Sequence, residues 1–193
     1  MKENYHHGNL KNELLETSIQ MISEKGFEYL SLRKVANLCG VSHNAIYRHF
    51  ESKEQLISCC RKYVTEALTE RLEQTIKGMK LSKMETLEAL CEAYVSFYRE
   101  HPTYFSALYR NSDSKIIFTL EKVKENYPPF ELFRSVVYAN IEKRNMTKEE
   151  GWNYLFRLWS LVHGMISLFI ASNVELKGDL KQEELLCKGF TID

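Results

Sequence analysis

The chain has 193 residues, 26 basic and 26 acidic side chains, and a formal net charge of zero. Its 44% hydrophobic content excludes an intrinsically disordered protein, and zero net charge excludes a globally polycationic nucleic-acid binder while leaving a local basic face possible. Only 8 glycines and 3 prolines occur, with no proline before Pro102. Long uninterrupted helices are therefore allowed, and the composition predicts an all-α fold.

The cysteines and the N-terminus predict a reducing, cytoplasmic location. The 5 cysteines form no Cys-x-x-Cys spacing, and the first residues lack the apolar stretch of a secretory signal. The most apolar window, residues 155–171, is interrupted by polar side chains and is shorter than the ~20 residues of a membrane-spanning helix. We therefore expect a buried helix there and no membrane partner. His6 and His7 lack further ligands at metal spacing, so we expect no metal and no cofactor.

The N-terminal part predicts four helices, of which the second and third are short. Apolar residues at helical spacing run over residues 10–25, with Asn9 as a candidate N-cap and Gly26 as a stop signal. Gly40 supplies the positive φ that a tight turn between the second and third helices favours. The fourth helix is predicted to reach about residue 77 or 78. Serines that can cap the second, third and fourth helices are Ser31, Ser42 and Ser52.

The remaining chain is rich in aromatic residues and predicts further helices between Pro, Asn and Ser breaks. Thr147 and Glu150 have the spacing of a capping box, which supports the start of the longest of them. The predicted helices cover about residues 83–100, 102–110, 114–126, 129–144, 147–173 and 179–188.

Residues 31–56 have the parts of a helix-turn-helix at workable spacing. Such a motif presents the N-terminal residues of its second helix to base edges in the major groove. Ile46 and Phe50 are apolar and are expected to face inward, towards the first short helix. Polar or small side chains at the leading end and one turn on are expected to be exposed and to suit DNA, namely Ser42, His43, Asn44, Ala45, Tyr47 and Arg48.

Two motifs in this region are Tyr47-Arg48-His49-Phe50-x-x-Lys53-Glu54-x-Leu56 and Ala36-x-x-Cys39-Gly40-Val41-Ser42. They resemble motifs of the tetracycline-repressor (TetR) family of bacterial transcription regulators. Residues 5–10 resemble an N-terminal arm of such proteins. His101-Pro102-x-x-Phe105 and Val162-His163-Gly164 resemble a subgroup that has Trp-His-Gly at the latter place. The resemblance implies a helix-turn-helix DNA-binding domain at 1–56 and a helical ligand-binding and dimerisation domain at 57–193.

The resemblance also implies which residues contact an operator. Hydroxyls and amides at helix N-termini suit phosphate oxygens, and cations release counterions on binding DNA. The implied DNA-facing residues are Ser31, Arg33, Ser42, His43, Asn44, Ala45, Tyr47, His49 and Lys53. Each residue alone also fits a purely structural role, such as a helix cap or a solvated charge. The prediction of DNA binding therefore rests on the motif as a whole.

We expect the second domain to hold a small apolar or aromatic effector, because tyrosines combine stacking area with a hydroxyl. The alternative is an aromatic core without a cavity. The candidate effector-binding residues are Tyr94, Tyr98, Tyr109, Tyr138, Arg157 and His163.

A homodimer is expected through the helices at about 129–144 and 147–173, whose apolar residues cover more than one helix face. We expect that a single domain of this size cannot bury all of them. The principal stripe is Leu155, Leu158, Trp159, Val162, Met165, Ile166 and Phe169, and Leu161, Leu168 and Ile170 lie off it.

The predicted function is thus a ligand-responsive regulator, most simply a repressor, that binds double-stranded DNA at a palindromic operator. A helical enzyme or small-molecule carrier is the rival from another class. The chain contains no Gly-x-Ser-x-Gly, Gly-rich phosphate loop or His-Glu-x-x-His, so we expect no enzyme. An architectural protein that binds DNA without sequence preference is the third possibility.

Overall fold

A computed structural model describes residues 10–109 and 115–169, and every regular element within those ranges is helical. This confirms the all-α prediction. The helices are α1 (Leu10–Lys25), α2 (Leu32–Leu38), α3 (His43–Tyr47), α4 (Lys53–Ile76), α5 (Met84–Glu100), α6 (Pro102–Tyr109), α7 (Pro128–Lys143) and α8 (Lys148–Phe169), with a single 3₁₀ turn at Phe27–Tyr29. The predicted helix at 179–188, the last residues of the one at 147–173, and the N-terminal arm lie outside the described residues.

Helices α2 and α3 follow the sequence signals closely. The Ser31 hydroxyl accepts a hydrogen bond from the Lys34 backbone N–H at 3.3 Å and so begins α2. Gly40 has φ 66°, and the Val41 N–H returns to the Ala36 carbonyl at 3.0 Å, which closes the turn before α3. The side chains that face inward from this unit form one apolar core with α1 and α4.

Helix α4 connects this unit to the rest of the chain. Its start is fixed by the Ser52 hydroxyl, which accepts a hydrogen bond from the Gln55 N–H at 3.2 Å. Its 24 residues span about 36 Å. The buried stripe Leu56, Cys60, Val64, Leu68, Leu72 and Ile76 packs first against α1 and then against the C-terminal helices.

The predicted helix at 114–126 is wrong. Residues 115–127 contain bends and a turn but no helix. The Asn126 side-chain amide donates to the Ile117 carbonyl at 2.7 Å and accepts from the Ile117 N–H at 2.9 Å. Arg134 donates to the Leu120 carbonyl at 2.8 Å. Arg134 is itself held by Glu131 at 3.0 Å. These contacts satisfy backbone groups that a helix would have paired internally.

Helices α7 and α8 form an antiparallel pair at the C-terminal end. Thr147 and Glu150 make the predicted capping box, because the Glu150 carboxylate accepts the Thr147 N–H at 2.7 Å and the Glu150 N–H reaches the Thr147 hydroxyl at 3.3 Å. Gly151 lies against Ile141, where a Cβ on residue 151 would come within 3.2 Å of the Ile141 side chain. Glycine therefore allows the two helices to approach closely.

Six residues of the principal apolar stripe of α8 are buried within the chain itself. Leu155, Leu158, Trp159, Val162, Met165 and Ile166 all belong to the chain's own core. Helices α5 and α7 cover these six residues, so the expectation that a single domain cannot bury the whole apolar set rests on the residues off the stripe. Leu161 and Leu168, which lie off the stripe, are half-buried and exposed respectively.

We find no helix among the described residues with the length and apolar character needed to cross a bilayer.

Candidate nucleic-acid interface and effector site

The recognition helix α3 is anchored by apolar side chains on one face and open to solvent on the other. Ile46 and Phe50 are fully buried, as predicted. His43 and Asn44 are exposed, and Tyr47 keeps 49% of its surface accessible. The rings of His43 and Tyr47 meet edge to face with centroids 5.2 Å apart. This short helix therefore displays two aromatic rings and an amide, all able to reach base edges or phosphates.

The other predicted DNA-facing residues lie around α3. Arg33 is exposed on α2, and Ser42 is exposed and makes no cap hydrogen bond with its side chain. His49 is half-buried, with its ring tilted on Phe50 at 6.2 Å. The remaining three, which are half-buried, are Ser31 at the start of α2, Ala45 in α3 and Lys53 at the start of α4.

Arg48 is exposed at the end of α3, as its place on the polar side of the motif predicted. The family resemblance assigned it no contact. A guanidinium there nevertheless offers a phosphate or a guanine the planar fork of donors that lysine lacks. Arg48 therefore belongs with the residues that can contact DNA.

Inside the C-terminal helices, four tyrosines and one histidine form a tyrosine cluster, defined here as Tyr94, Tyr98, Tyr109, Tyr127 and His163. The Tyr94 hydroxyl lies 3.0 Å from that of Tyr109 and 3.3 Å from Nε2 of His163. Tyr109 donates to the Tyr127 hydroxyl at 3.4 Å. The Tyr98 hydroxyl lies beside that of Tyr127 without the geometry of a hydrogen bond. Polar groups thus meet in the middle of an apolar region.

The tyrosine cluster is electrically neutral at physiological pH. Burial lowers the pKa of His163 to about 4, so its imidazole is uncharged and one ring nitrogen is an acceptor. Burial also raises the pKa of Tyr94, which therefore keeps its proton. Trp159 covers the imidazole with ring centroids 4.3 Å apart, and Phe105 lies 6.3 Å from it. The arrangement can bind an uncharged group that gives and takes hydrogen bonds.

The structure brings together some of the predicted effector residues and separates others. Tyr94, Tyr98, Tyr109 and His163 are neighbours, but Tyr138 and Arg157 are not part of the cluster. Tyr138 is 41% exposed on α7, and Arg157 is exposed on the outer face of α8. Arg157 and His163 are close together along α8, which suggested a shared site. Their side chains leave the helix in directions too different for both to face inward.

Tyr127 is the cluster member that sequence reasoning did not select. It precedes Pro128, and a residue before proline is restricted to extended backbone, which holds Tyr127 at the entrance of α7 with φ −59° and ψ 115°. The restriction imposed by Pro128 is the signal that marks this tyrosine as fixed in place.

A separate cavity of about 680 Å³ lies between the 115–127 segment, α7 and the start of α8. Its walls include Tyr138 and Trp152 together with Arg134, Glu142 and Lys148. No group of three or more potential metal ligands occurs in the described parts of the chain.

Comparison with known proteins decides the family. The family model for "Bacterial regulatory proteins, tetR family" matches residues 14–58, and the model for "Tetracyclin repressor-like, C-terminal domain" matches residues 87–186. The chain belongs to the TetR family. It is therefore a DNA-binding transcriptional regulator, as the helix-turn-helix predicted. The resemblance to the Trp-His-Gly subgroup stays a prediction.

Two curated relatives each match less than half of the chain. The chain is 34% identical over 79 residues to the uncharacterized HTH-type transcriptional regulator YerO of Bacillus subtilis, covering 40% of this chain and 23% of that protein. It is 32% identical over 100 residues to the nucleoid occlusion factor SlmA of Actinobacillus pleuropneumoniae, covering 48% of this chain and 46% of that protein. The chain thus spans less than half the length of these two relatives.

Solved structures share the fold over nearly the whole chain. A TetR-like transcriptional regulator from Rhodococcus sp. RHA1 superposes with a TM-score of 0.69 at 15% identity, covering 96% of this chain and 94% of the other. The TetR family transcriptional regulator PfmR from Thermus thermophilus gives a TM-score of 0.64 at 19% identity, covering 90% of this chain and 92% of the other. These similarities support the fold alone.

Proposed function

We propose that this protein is a homodimeric repressor that binds a palindromic operator and is released or modulated by a small apolar or aromatic effector. The observation that carries the proposal is the recognition helix. Ile46 within it and Phe50 just after it are buried, and they hold His43, Asn44 and Tyr47 towards solvent. One copy of so short a helix contacts too few base pairs for selectivity, so a second copy is required.

The DNA contacts are proposed as follows. His43 and Asn44 meet base edges with Ala45 near a thymine methyl, while Ser42 serves bases or flanking phosphates. Arg33 contacts phosphate or a base. The residues assigned to phosphates are Ser31, Tyr47, His49 and Lys53, to which we add Arg48. The division between the DNA-binding and effector domains is kept at residues 56 and 57, inside α4.

The proposed dimer uses the outer face of α8 with α7. Phe156 and Leu168 are 61% and 51% exposed, Leu161 is half-buried, and a Cβ at Gly164 would meet nothing within 4 Å. These positions share one side of α8, opposite the buried stripe. A second copy of the same face covers them around a two-fold axis and forms a four-helix interface.

The proposed effector occupies the tyrosine cluster. The hydroxyls of Tyr94, Tyr98 and Tyr109 and the neutral imidazole of His163 supply donors and acceptors without formal charge. An uncharged aromatic or apolar molecule with an oxygen substituent fits this set. A tightly packed core is the alternative, and a ligand screen separates the two.

A selection experiment tests operator binding. Purified protein is mixed with a library of random duplexes, bound sequences are recovered, and their affinity is measured by fluorescence anisotropy with unrelated competitor DNA. We expect selected sequences with two-fold symmetry and half-sites about 34–36 Å apart. Equal affinity for selected and random duplexes would contradict sequence-specific recognition and favour the architectural alternative.

The effector proposal is tested by thermal shift with a library of uncharged aromatic compounds. Each compound that raises the melting temperature is then added to the protein bound to its selected duplex. We expect operator affinity to change about 5–150-fold, or about 1–3 kcal/mol of coupling. Compounds that stabilise the fold yet leave DNA affinity unchanged would contradict the regulatory role, and no stabilising compound would favour the filled core.

A further inference from the structure

One carboxylate joins three helices at the contact between the N-terminal unit (α1–α3) and the C-terminal helices (α5–α8). Glu16 lies on α1, and its Oε1 accepts a hydrogen bond from the Tyr63 hydroxyl of α4 at 2.8 Å. The same oxygen accepts a second, shorter hydrogen bond from the Tyr104 hydroxyl of α6. We call these residues the Glu16 triad. Because α1 also packs along α6, the two parts of the molecule touch independently of the continuous chain through α4.

The Glu16 triad is fixed in its hydrogen-bonded state. Burial, with the hydrogen bond to Glu16 as a further cause, raises the pKa of Tyr104, and the same causes raise that of Tyr63. Both hydroxyls therefore remain donors. Bonds to an ionised acceptor are roughly twice as strong as neutral ones, and His101 stacks on the Tyr104 ring at 4.6 Å with an interplanar angle of 12°. The Tyr104 ring is thus held from two sides.

A continuous row of ring contacts joins the Glu16 triad to the tyrosine cluster. Tyr104 meets Phe97 with centroids 5.8 Å apart, and Phe97 meets Tyr98 at 5.3 Å. Tyr98 meets Tyr94 at 5.4 Å, and Tyr94 meets Trp159 at 5.6 Å. Close-packed rings move together rather than deform. This row gives a change at the cluster a packed route to Tyr104 and to the acceptor on α1.

We propose that Glu16 is a positioning residue that couples the tyrosine cluster to the orientation of the recognition helix, by way of Tyr104 and α1. The inference rests on the proposed function of the cluster as an effector site and of α3 as the DNA reader. Because coupling between two sites is reciprocal, DNA bound at α3 must also be detectable at the cluster. This makes the proposal testable before any effector is known.

The first measurement needs no DNA. Hydrogen exchange is followed by mass spectrometry in wild-type protein and in Tyr104→Phe, which removes a single hydroxyl from α6. We expect amides of α1 to exchange roughly tenfold faster, because one charge-assisted bond to that helix is lost. The matched control is Tyr154→Phe, which removes a buried hydroxyl from α8 that is not part of the triad. It should leave α1 unchanged.

The second measurement uses the duplex selected by the wild-type protein. Both tryptophans, Trp152 and Trp159, lie in α8, and Trp159 contacts His163 in the cluster. Their emission therefore reports on the C-terminal helices. We expect duplex binding to change the tryptophan emission of the wild type. In Glu16→Ala most of that change should be absent, although the variant's DNA affinity stays within roughly threefold of the wild-type value. Glu24→Ala, an exposed position on the same helix, is the matched control and should respond like the wild type.

The outcomes separate the inference from the function on which it rests. A merely structural Glu16 would loosen α1 yet leave the tryptophan response to DNA intact, which overturns the proposal. An absent response in the wild type with DNA bound overturns it as well. Glu16→Gln keeps an acceptor and should restore part of the response. If the wild type binds no selected duplex, the proposed function fails. The hydrogen-exchange experiment still tests the inference in that case, because unchanged exchange of the α1 amides in Tyr104→Phe refutes the link between Tyr104 and α1.

Discussion

Helix α3 and the tyrosine cluster use polar side chains in opposite ways. In and just after α3 the apolar residues Ile46 and Phe50 are buried, while the polar side chains of the helix face solvent. Around α8 the polar groups of Tyr94 and His163 meet inside the protein and Phe156 faces out. A surface that binds DNA keeps its hydrogen-bonding groups in contact with water until binding. A site for an uncharged molecule instead needs those groups in a dry interior. There a polar group that is left unpaired is costly, so each group selects for a ligand that pairs with it.

The largest expected effect compares the cores of the two regions. Phe50→Ala should cost about 3–5 kcal/mol of unfolding free energy, because it empties a fully buried site under α3. Phe133→Ala, also buried, should cost a similar amount. Urea unfolding followed by circular dichroism measures both. The Phe50 variant should lose DNA binding while tryptophan emission stays native, and the Phe133 variant should perturb that emission. Identical behaviour of the two variants would contradict separate roles for the regions.

The next largest expected effect is the loss of dimerisation when a charge is placed on α8. Leu168→Asp places a charge on the exposed face of α8 and should give monomers with about 100-fold or more weaker operator binding, since an unpaired charge in an interface costs several kcal/mol. Leu161→Asp should act similarly but also destabilise the core, because Leu161 is half-buried.

Sedimentation at micromolar concentration checks the oligomeric state of these variants. The matched control is Leu38→Asp, the same chemical change at a leucine of α2 that is 67% exposed and far along the chain from α8. It should sediment like the wild type. A monomeric wild type would overturn the dimer.

Base and phosphate contacts should differ in kind. Changing His43 or Asn44 to alanine should cost roughly 1–3 kcal/mol and alter base preference, whereas Tyr47→Phe and Lys53→Ala should weaken binding to all sequences alike. Lys53→Ala should also lower the slope of log affinity against log salt by about one unit. Anisotropy titrations at several salt concentrations measure both quantities. A change of base preference in the Lys53 variant would contradict the assignment to phosphate.

The last expected effect is the pH dependence of stability that His163 gives the C-terminal helices. Its folded pKa of about 4 lies below the ordinary value of 6.5, so the unfolded chain binds more protons between those values. Stability is therefore lost as pH falls through that window, by about 2 kcal/mol between about pH 7 and pH 5. His163→Gln should lose less over the same range. Urea unfolding at both pH values tests this, and equal losses would show that His163 is not the group responsible.

The sequence predicted the helix-turn-helix almost residue by residue. Its signals are local: Ser31 and Ser52 cap helices through their own hydroxyls, and Gly40 adopts the positive φ of the turn. The inward positions of Ile46 and Phe50 follow from helical spacing. When the residues that fix a structure lie within a few positions of each other, pattern and propensity are sufficient.

The C-terminal part depended on contacts between distant residues, and there prediction was weaker. The stretch 115–127 has the composition of a helix, but Asn126 and Arg134 bind its backbone instead. For a similar reason the sequence did not reveal that Tyr127 lies in the tyrosine cluster and Tyr138 lies outside it. Which tyrosine faces inward is set by packing between α5, α6 and α8, and tyrosines in a helical sequence look alike before that packing is known.

Gly151 has a consequence for the specificity of assembly. It is buried, yet it sets how closely α7 and α8 approach, since a methyl group there would press on Ile141. The face proposed for the partner copy is composed of side chains from both helices. A change of a few tenths of an ångström in their separation therefore alters the shape offered to a second chain. A residue buried behind the face proposed for the partner copy thus helps to determine which second chain can match that face.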